Sequence, residues 1–238
     1  MSYKFRPHFL PTFVAALLVA GMIKLGFWQY GKAEQKRVLQ VAYDARLTET
    51  PAALPEAVSN IEDWRYRRIR AKGRYEPAYQ ILLDNQLDDN GAAGYHVITP
   101  FRPESGKTVV LVDRGWIPMG DRGQLPKIET FAGPVEVTGF AWVPSNKFYE
   151  LAPPPEGRDW QMLWQNMDMP RYAKAVPFVV LPFVIRLDAS SQAGGFSRNW
   201  IKPAERIETH IGYAWQWWGF SVALVAIWVF VNVKREEV

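Results

Sequence analysis

"ETHIGYAWQWWGFSVALVAIWVFVNV", Glu208 to Val233, decides how the chain is read. From Ile211 to Val233 it runs 23 residues without a charge. That is about 35 Å of helix at ~1.5 Å per residue, enough to cross a hydrocarbon core of roughly 30 Å with some tilt. Trp and Tyr gather at its start, Trp228 stands near its end, and Lys234 and Arg235 stop it. Such an aromatic belt with basic flanks marks a membrane span. One histidine, His210, sits where polar residues give way to the apolar run, with Tyr213, Trp215, Trp217 and Trp218 behind it.

Phe9 to Trp28, "FLPTFVAALLVAGMIKLGFW", predicts a second span. Its one charge, Lys24, lies a turn from the end, where a lysine stem can follow the helix and place its ammonium in water. Pro11 falls in the first turn, where a missing N–H costs nothing. Trp28 and Tyr30 mark the far interface. The stretch is long for a cleaved signal peptide and no A-x-A site follows, so an uncleaved anchor is expected. Lys4, Arg6, Lys234 and Arg235 favour termini in the cytoplasm, whereas Lys32, Lys36 and Arg37 pull the other way. Long loops cross regardless of charge. The expectation is a bacterial cytoplasmic membrane with both termini inside and the middle domain outside.

The chain has 238 residues and a formal net charge of +4. Between Lys32 and Arg206 there are 23 Lys/Arg against 21 Asp/Glu. That balance excludes a nucleic-acid binder relying on phosphate neutralisation. The absence of cysteine removes disulfides, thiolate metal sites and CxxC redox chemistry. The middle segment must be held by its own core, for which about 170 residues suffice.

Gly31 to Arg46 reads as a polar helix continuing from the membrane and ended by "TPAALPEAV". Beyond it, "YRRIRAKGRY", "YQILLDNQ", "GYHVITPFR", "TVVLVDRGWIP", "VEVTGFAWV" and "PFVIRLDA" are β-branched or aromatic runs bounded by turn residues. "WQMLWQN" and a short helix around "MDMPRYAKAV" come between the last two. The prediction is an α+β membrane protein: transmembrane helices at 9–30 and 210–233 flank an antiparallel, β-rich extracytoplasmic domain at 31–206.

Few residues in that domain suggest chemistry. "SGKT", Ser105 to Thr108, lacks the earlier glycine of a P-loop and reads as a hairpin turn. His96 has Asp84, Asp88 and Asp89 upstream, but the three histidines of the chain have no ligand-spaced partners, so a structural role is expected over zinc or catalysis. Met162, Met167 and Met169 could offer soft copper ligands, yet methionine commonly fills cores. The basic stretch Trp64 to Tyr75, with Arg68, Arg70, Lys72 and Arg74 on one face, is a solvated sheet face or a surface for lipid or an acidic partner.

For His210 two readings stay open. Imidazole is comfortable at a membrane interface. Neutral imidazole is also an axial ligand for haem iron, and a helix entering lipid can give a porphyrin apolar surroundings while its propionates stay in water. His210, Tyr213, Ala214 and Trp217 share one helical face. Ala214 would leave room for a ring and the aromatics would pack on it. Trp28, Gln29 and Tyr30 lie at matching depth on the first span.

"LGFWQYGKAEQK", "YRRIRAKGRY", "GYHVITPF", "VLVDRGWIP", "VEVTGF" and "HIGYAWQWWGF" occur in this order. On these blocks the chain resembles the Surf1/Shy1 family of cytochrome c oxidase assembly factors over nearly its whole length. The resemblance implies a non-catalytic factor that binds haem a through a histidine at the start of the second span, here His210. It would help to place haem a in subunit I of a haem-copper oxidase. Tyr213, Trp217 and Trp28 would line the ring, and Gln29 or Gln216 would give a polar contact. Lys32, Lys36 and Arg206 would meet the propionates. Expected partners are subunit I, haem a synthase and membrane lipid. Two alternatives are a cofactor-free scaffold using the Arg68–Arg74 face and an envelope enzyme built on His96 or the aspartates.

Overall fold

An apolar first half and a polar second half rich in Ala, Gln, Lys, Arg and Leu carry α1 from Phe9 to Leu47 without a break, and Gly31 does not interrupt it. Its 39 residues reach about 58 Å at ~1.5 Å each, so its polar second half extends beyond any hydrocarbon core. The computed structural model describes residues 2–104, 106, 108–120, 124–147, 160–200, 202 and 206–236. Ser105 and Lys107 of the expected hairpin turn lie outside them. The contacts divide the chain into two units, Met1–Tyr43 with Ile201–Val238, and Asp44–Trp200.

In the first unit, β1 (Ser2–Phe5) precedes α1, while α3 (Ile207–Asn232) runs straight into β9 (Val233–Glu236). β1 and β9 pair as an antiparallel ribbon. The helices are antiparallel: Trp228 Nε1 donates to Thr12 Oγ1 at 3.1 Å near one end, and Gln29 meets His210 near the other. The less exposed residues of α1 include Ala15, Val19, Met22, Gly26, Gln29 and Ala33, at alternating four- and three-residue steps. On α3, Ile207, Ala214 and Ser221 are buried seven residues apart. This heptad seam is the pattern of left-handed helix pairs. Trp218 lies on Gly26, where a Cβ would come within 2.2 Å of Nε1. Small residues permit such approach in apolar helix pairs. Both helices are long and apolar enough to cross a membrane, and only 6% and 11% of their apolar windows are buried, unlike core helices of a soluble fold.

The second unit is a β-barrel with additions. After a 3-10 turn at Ile61–Trp64 come β2 (Arg68–Tyr75), β3 (Ile81–Leu87), β4 (Ala93–Pro103), β5 (Val109–Pro118) and β6 (Val135–Trp142). β7 (Leu163–Trp164), α2 (Met169–Ala175) and β8 (Val180–Leu187) follow. The sheet order β2-β6-β8-β5-β4 closes through pairing of β4 with β2. The expected all-antiparallel sheet needs correction, because β5 pairs β8 in parallel and β3 pairs β7 in parallel. The first follows from parity: five strands cannot alternate direction around a closed ring, so one joint must be parallel.

That parallel joint is buried on both faces, as parallel pairs are, which explains the unbroken apolar run "VVLV" in β5. Val110, Val112, Phe183, Ile185 and Leu187 point into the barrel with Ile69, Phe101 and Val137, and Trp64 stacks on Phe183 at 5.5 Å. Leu111 and Val184 point outward, beneath Tyr172 of α2 and Trp164. Asp168 caps α2 by accepting from the Arg171 N–H at 3.0 Å.

Candidate functional site

Polar side chains in an apolar helix seam are costly unless they meet each other. His210 and Gln29 do so, with Nδ1 and Oε1 2.8 Å apart. An amide oxygen only accepts, so Nδ1 carries the proton and donates. In the neutral form of the ring, Nε2 then holds the lone pair. Among the described residues, only Gln29 hydrogen-bonds this ring. A histidine held this way has an oriented ring whose second nitrogen is free of that bond. The ring stands in the first turn of α3, where the His210 N–H closes on the Arg206 carbonyl at 3.1 Å. Arg206 itself turns the chain into the helix with φ of 68°.

Successive helical residues rotate by about 100°, so the antiparallel pair has two flanks beside its seam. One is filled by aromatic packing: Trp218 meets Phe27 at 5.4 Å, Tyr30 at 6.1 Å and Trp215 at 5.5 Å. Trp28 and Lys32 on α1 fall on the other flank, together with Tyr213 and Trp217 on α3. Trp28 and Tyr213 are 55% and 49% exposed, and Trp217 packs on Phe220 at 6.2 Å. His210 to Trp217 spans about 10 Å along the axis at ~1.5 Å per residue. The second flank is therefore an open aromatic wall beside the fixed imidazole.

Two expected features land elsewhere. Ala214 is fully buried on the seam side, where its small size lets the helices close. Gln216 is exposed on the side of α3 turned away from α1, which leaves Gln29 as the polar partner. Lys32 and Arg206 are exposed and Lys36 is half-buried. Gly26, in contact with Trp218 one turn from Gln29, was not among the expected site residues, and Trp218 was expected only as one of the aromatics behind His210. Small residues at heptad spacing around Gln29 were the signal that could have found this contact.

The β-unit residues suspected of chemistry hold the fold. His96 on β4 pairs through Nδ1 with the fully buried Asp113 on β5 at 2.9 Å, and Trp200 covers the ring edge-on at 5.3 Å. Asp84 and Asp88 accept from neighbouring backbone N–H groups and shape turns, while Asp89 accepts from Asn199. Met167 and Met169 are core residues, and Met162 packs with a different cluster under Leu82, Tyr95 and Val97. On the basic face, Arg68 meets Asp188 at 2.6 Å, and Arg70 and Lys72 share Glu136 at 3.4 and 3.9 Å. That face is an alternating charge lattice.

The "RGWIP" block is also structural. Arg114 is buried, donating to the Gly194 and Glu129 carbonyls and to Thr130 Oγ1, with its guanidinium 5.1 Å from the Tyr75 ring and 4.9 Å from Phe196. Burial lowers the Arg114 pKa and raises that of Tyr75. Gly115 takes φ of 126°, and a Cβ there would come within 2.6 Å of the Ser197 carbonyl oxygen. Trp116 Nε1 donates to the Gln86 carbonyl at 3.1 Å.

A sequence model described as the SURF1 family matches residues 16–222. A SURF1-like protein of Monosiga brevicollis is 28% identical over 223 residues, covering 88% of this chain and 83% of the relative. A SURF1-like protein of Rickettsia felis is 24% identical over 214 residues, covering 87% and 90%. The "cytochrome oxidase assembly protein SHY1" of Saccharomyces cerevisiae is 33% identical over 95 residues, covering 39% of this chain and 24% of its own.

Proposed function

This chain belongs to the SURF1 family, and on that premise we propose that it is an assembly factor for a haem-copper oxidase which binds haem a as cargo and aids its placement in subunit I. The observation that carries the reading is the His210–Gln29 hydrogen bond. It ties up Nδ1 and leaves Nε2 as the nitrogen that haem iron would take as an axial ligand. Trp28, Tyr213 and Trp217 supply apolar, flat surface on the same flank. Lys32 and Arg206 supply cations for the propionates at the polar end. Gln29 holds the ring in orientation. Haem a when bound would bring its own redox chemistry, which the carrier does not use: this chain's residues bind, orient and shield, and then release.

In this reading α1 and α3 cross a bacterial cytoplasmic membrane with both termini on the cytoplasmic side, where Lys4, Arg6 and Lys234 gather. The barrel then lies outside, beside subunit I and haem a synthase. The relative named for cytochrome oxidase assembly supports the oxidase as target. A cofactor-free scaffold would draw on the Arg68–Arg74 face, whose charges are shared with Asp188 and Glu136.

The test is deletion of the gene in a host that makes haem a. Membranes should lose haem a from the oxidase, the wild-type chain should restore it, and the purified chain should carry a Soret band. A colourless protein that restores the oxidase fully would replace the carrier with the scaffold.

A further inference from the structure

We propose that a crevice between α1 and α3 receives the farnesyl tail of haem a, an inference that rests on His210 holding the haem iron. The crevice has a volume of about 200 Å³ and opens between Ala15, Ala16 and Val19 of α1 and Leu224, Val225 and Trp228 of α3. It lies away from Lys32 and Arg206, toward the other end of the helix pair.

Small side chains make the hollow. Ala15 and Ala16 are consecutive, so α1 puts little bulk on the seam or beside it at this depth. A hydrogen bond holds the hollow shut at its end: Trp228 Nε1 donates to Thr12 Oγ1 at 3.1 Å, and that hydroxyl donates to the His8 carbonyl at 2.8 Å. Thr12 completes the lining and spends its polar group on the protein. The walls it leaves are hydrocarbon and indole.

The α3 side of the crevice continues the face that carries the imidazole. His210, Trp217 and Leu224 follow one another at seven-residue steps, and Trp228 is one turn beyond Leu224, so the four share one face of the helix. The aromatic wall ends at Trp217, and Leu224 lies about 10 Å further along the axis at ~1.5 Å per residue. Haem a carries its farnesyl chain on the porphyrin edge opposite the propionates. With the propionates at Lys32 and Arg206, that edge faces Leu224, and an extended farnesyl chain is long enough to cross the gap and enter the hollow.

A lipid acyl chain competes for the same space. Hydrocarbon surrounds the tail either way, so the gain is van der Waals contact with a fixed wall. An isoprenoid has a double bond in every unit and fewer free torsions than a saturated acyl chain. Ordering it in the crevice therefore costs less entropy.

The full-length chain, purified from cells that make no haem a, goes into nanodiscs and is titrated with haem a, haem o and haem b in the Soret region. Haem o has the same tail without the formyl group, and haem b has neither. Haem a and haem o should bind alike, and on the order of tenfold more tightly than haem b. Ala16→Leu fills the crevice from its exposed side and should bring both tailed haems to the haem b affinity, with haem b unchanged. Val225→Phe fills it from α3 and should do the same, which decides the matter if Ala16→Leu disturbs the helix pair and weakens haem b as well. Equal affinity of all three haems for the wild-type chain, the result if lipid holds the crevice, overturns the proposal. A preference for haem a that haem o does not share, or a tail preference that survives both substitutions, overturns it too. A chain that binds none of the three removes the His210 reading and the tail proposal with it, whereas equal binding removes only the tail.

Discussion

Gln29 accepts a hydrogen bond from Nδ1 of His210 at 2.8 Å, across two helices whose paired residues are 181 positions apart. Nothing local in the sequence joins them. The heptad seam brings them together, and the bond decides which imidazole nitrogen is available.

Gln29→Leu removes the acceptor and leaves the histidine. The ring loses its orientation and its Nδ1 tautomer, an effect worth about 10- to 100-fold in affinity where such partners hold metal-ligating histidines. Haem titration followed in the Soret region should show that weakening. Gln29→Glu keeps an acceptor at the same reach and should retain most of the affinity. Equal loss in both variants would mean that Gln29 acts only through helix packing.

Gly26→Val puts a side chain where Trp218 lies, since even a Cβ comes within 2.2 Å of its indole nitrogen. With the indole held between Phe27 and Tyr30, the expected outcome is that the helices separate at this contact and Gln29 moves away from His210. Haem binding should fall at least tenfold, the penalty expected when a supporting contact is displaced. Adding Trp218→Ala to the same chain should recover part of it. A Gly26→Val chain that binds haem normally would show that the site is independent of helix spacing.

Much of this fold was legible in the sequence because its signals are local. Long apolar runs, one without a charge and one with only Lys24, marked both apolar helices, and β-branched runs between Gly, Pro and Asn marked six strands. The closed ring was not legible, because pairing of β4 with β2 and of β5 with β8 depends on contacts far apart in the chain. Without the ring, the parity that forces a parallel joint is invisible. The site divides in the same way. His210 stood out as a lone imidazole at an apolar boundary. That Ala214 faces the seam and Gln216 the outer side was not legible, because one helix's own periodicity does not say where its partner lies. Gly26 and Trp218 show their role only when both helices are present.

Arg114 should be a stability residue of the barrel. Arg114→Met leaves the Glu129 and Gly194 carbonyls and Thr130 without their donor. Removing one member of a buried charged network costs about 3 kcal/mol. Denaturant titration of the full chain in detergent should show a lower midpoint for the barrel, with α1 and α3 still inserted. An unchanged midpoint would mean that Arg114 is dispensable to the core.

The central claim is that Nε2 of His210 holds haem iron. The chain has three histidines, His8, His96 and His210, so three alanine variants isolate the ligand. Each is purified from cells making haem a, and haem is measured per chain by absorption. His8→Ala and His96→Ala should keep the Soret band, while His210→Ala should lose it and still insert in the membrane. Stoichiometric haem on the His210→Ala protein would contradict the account.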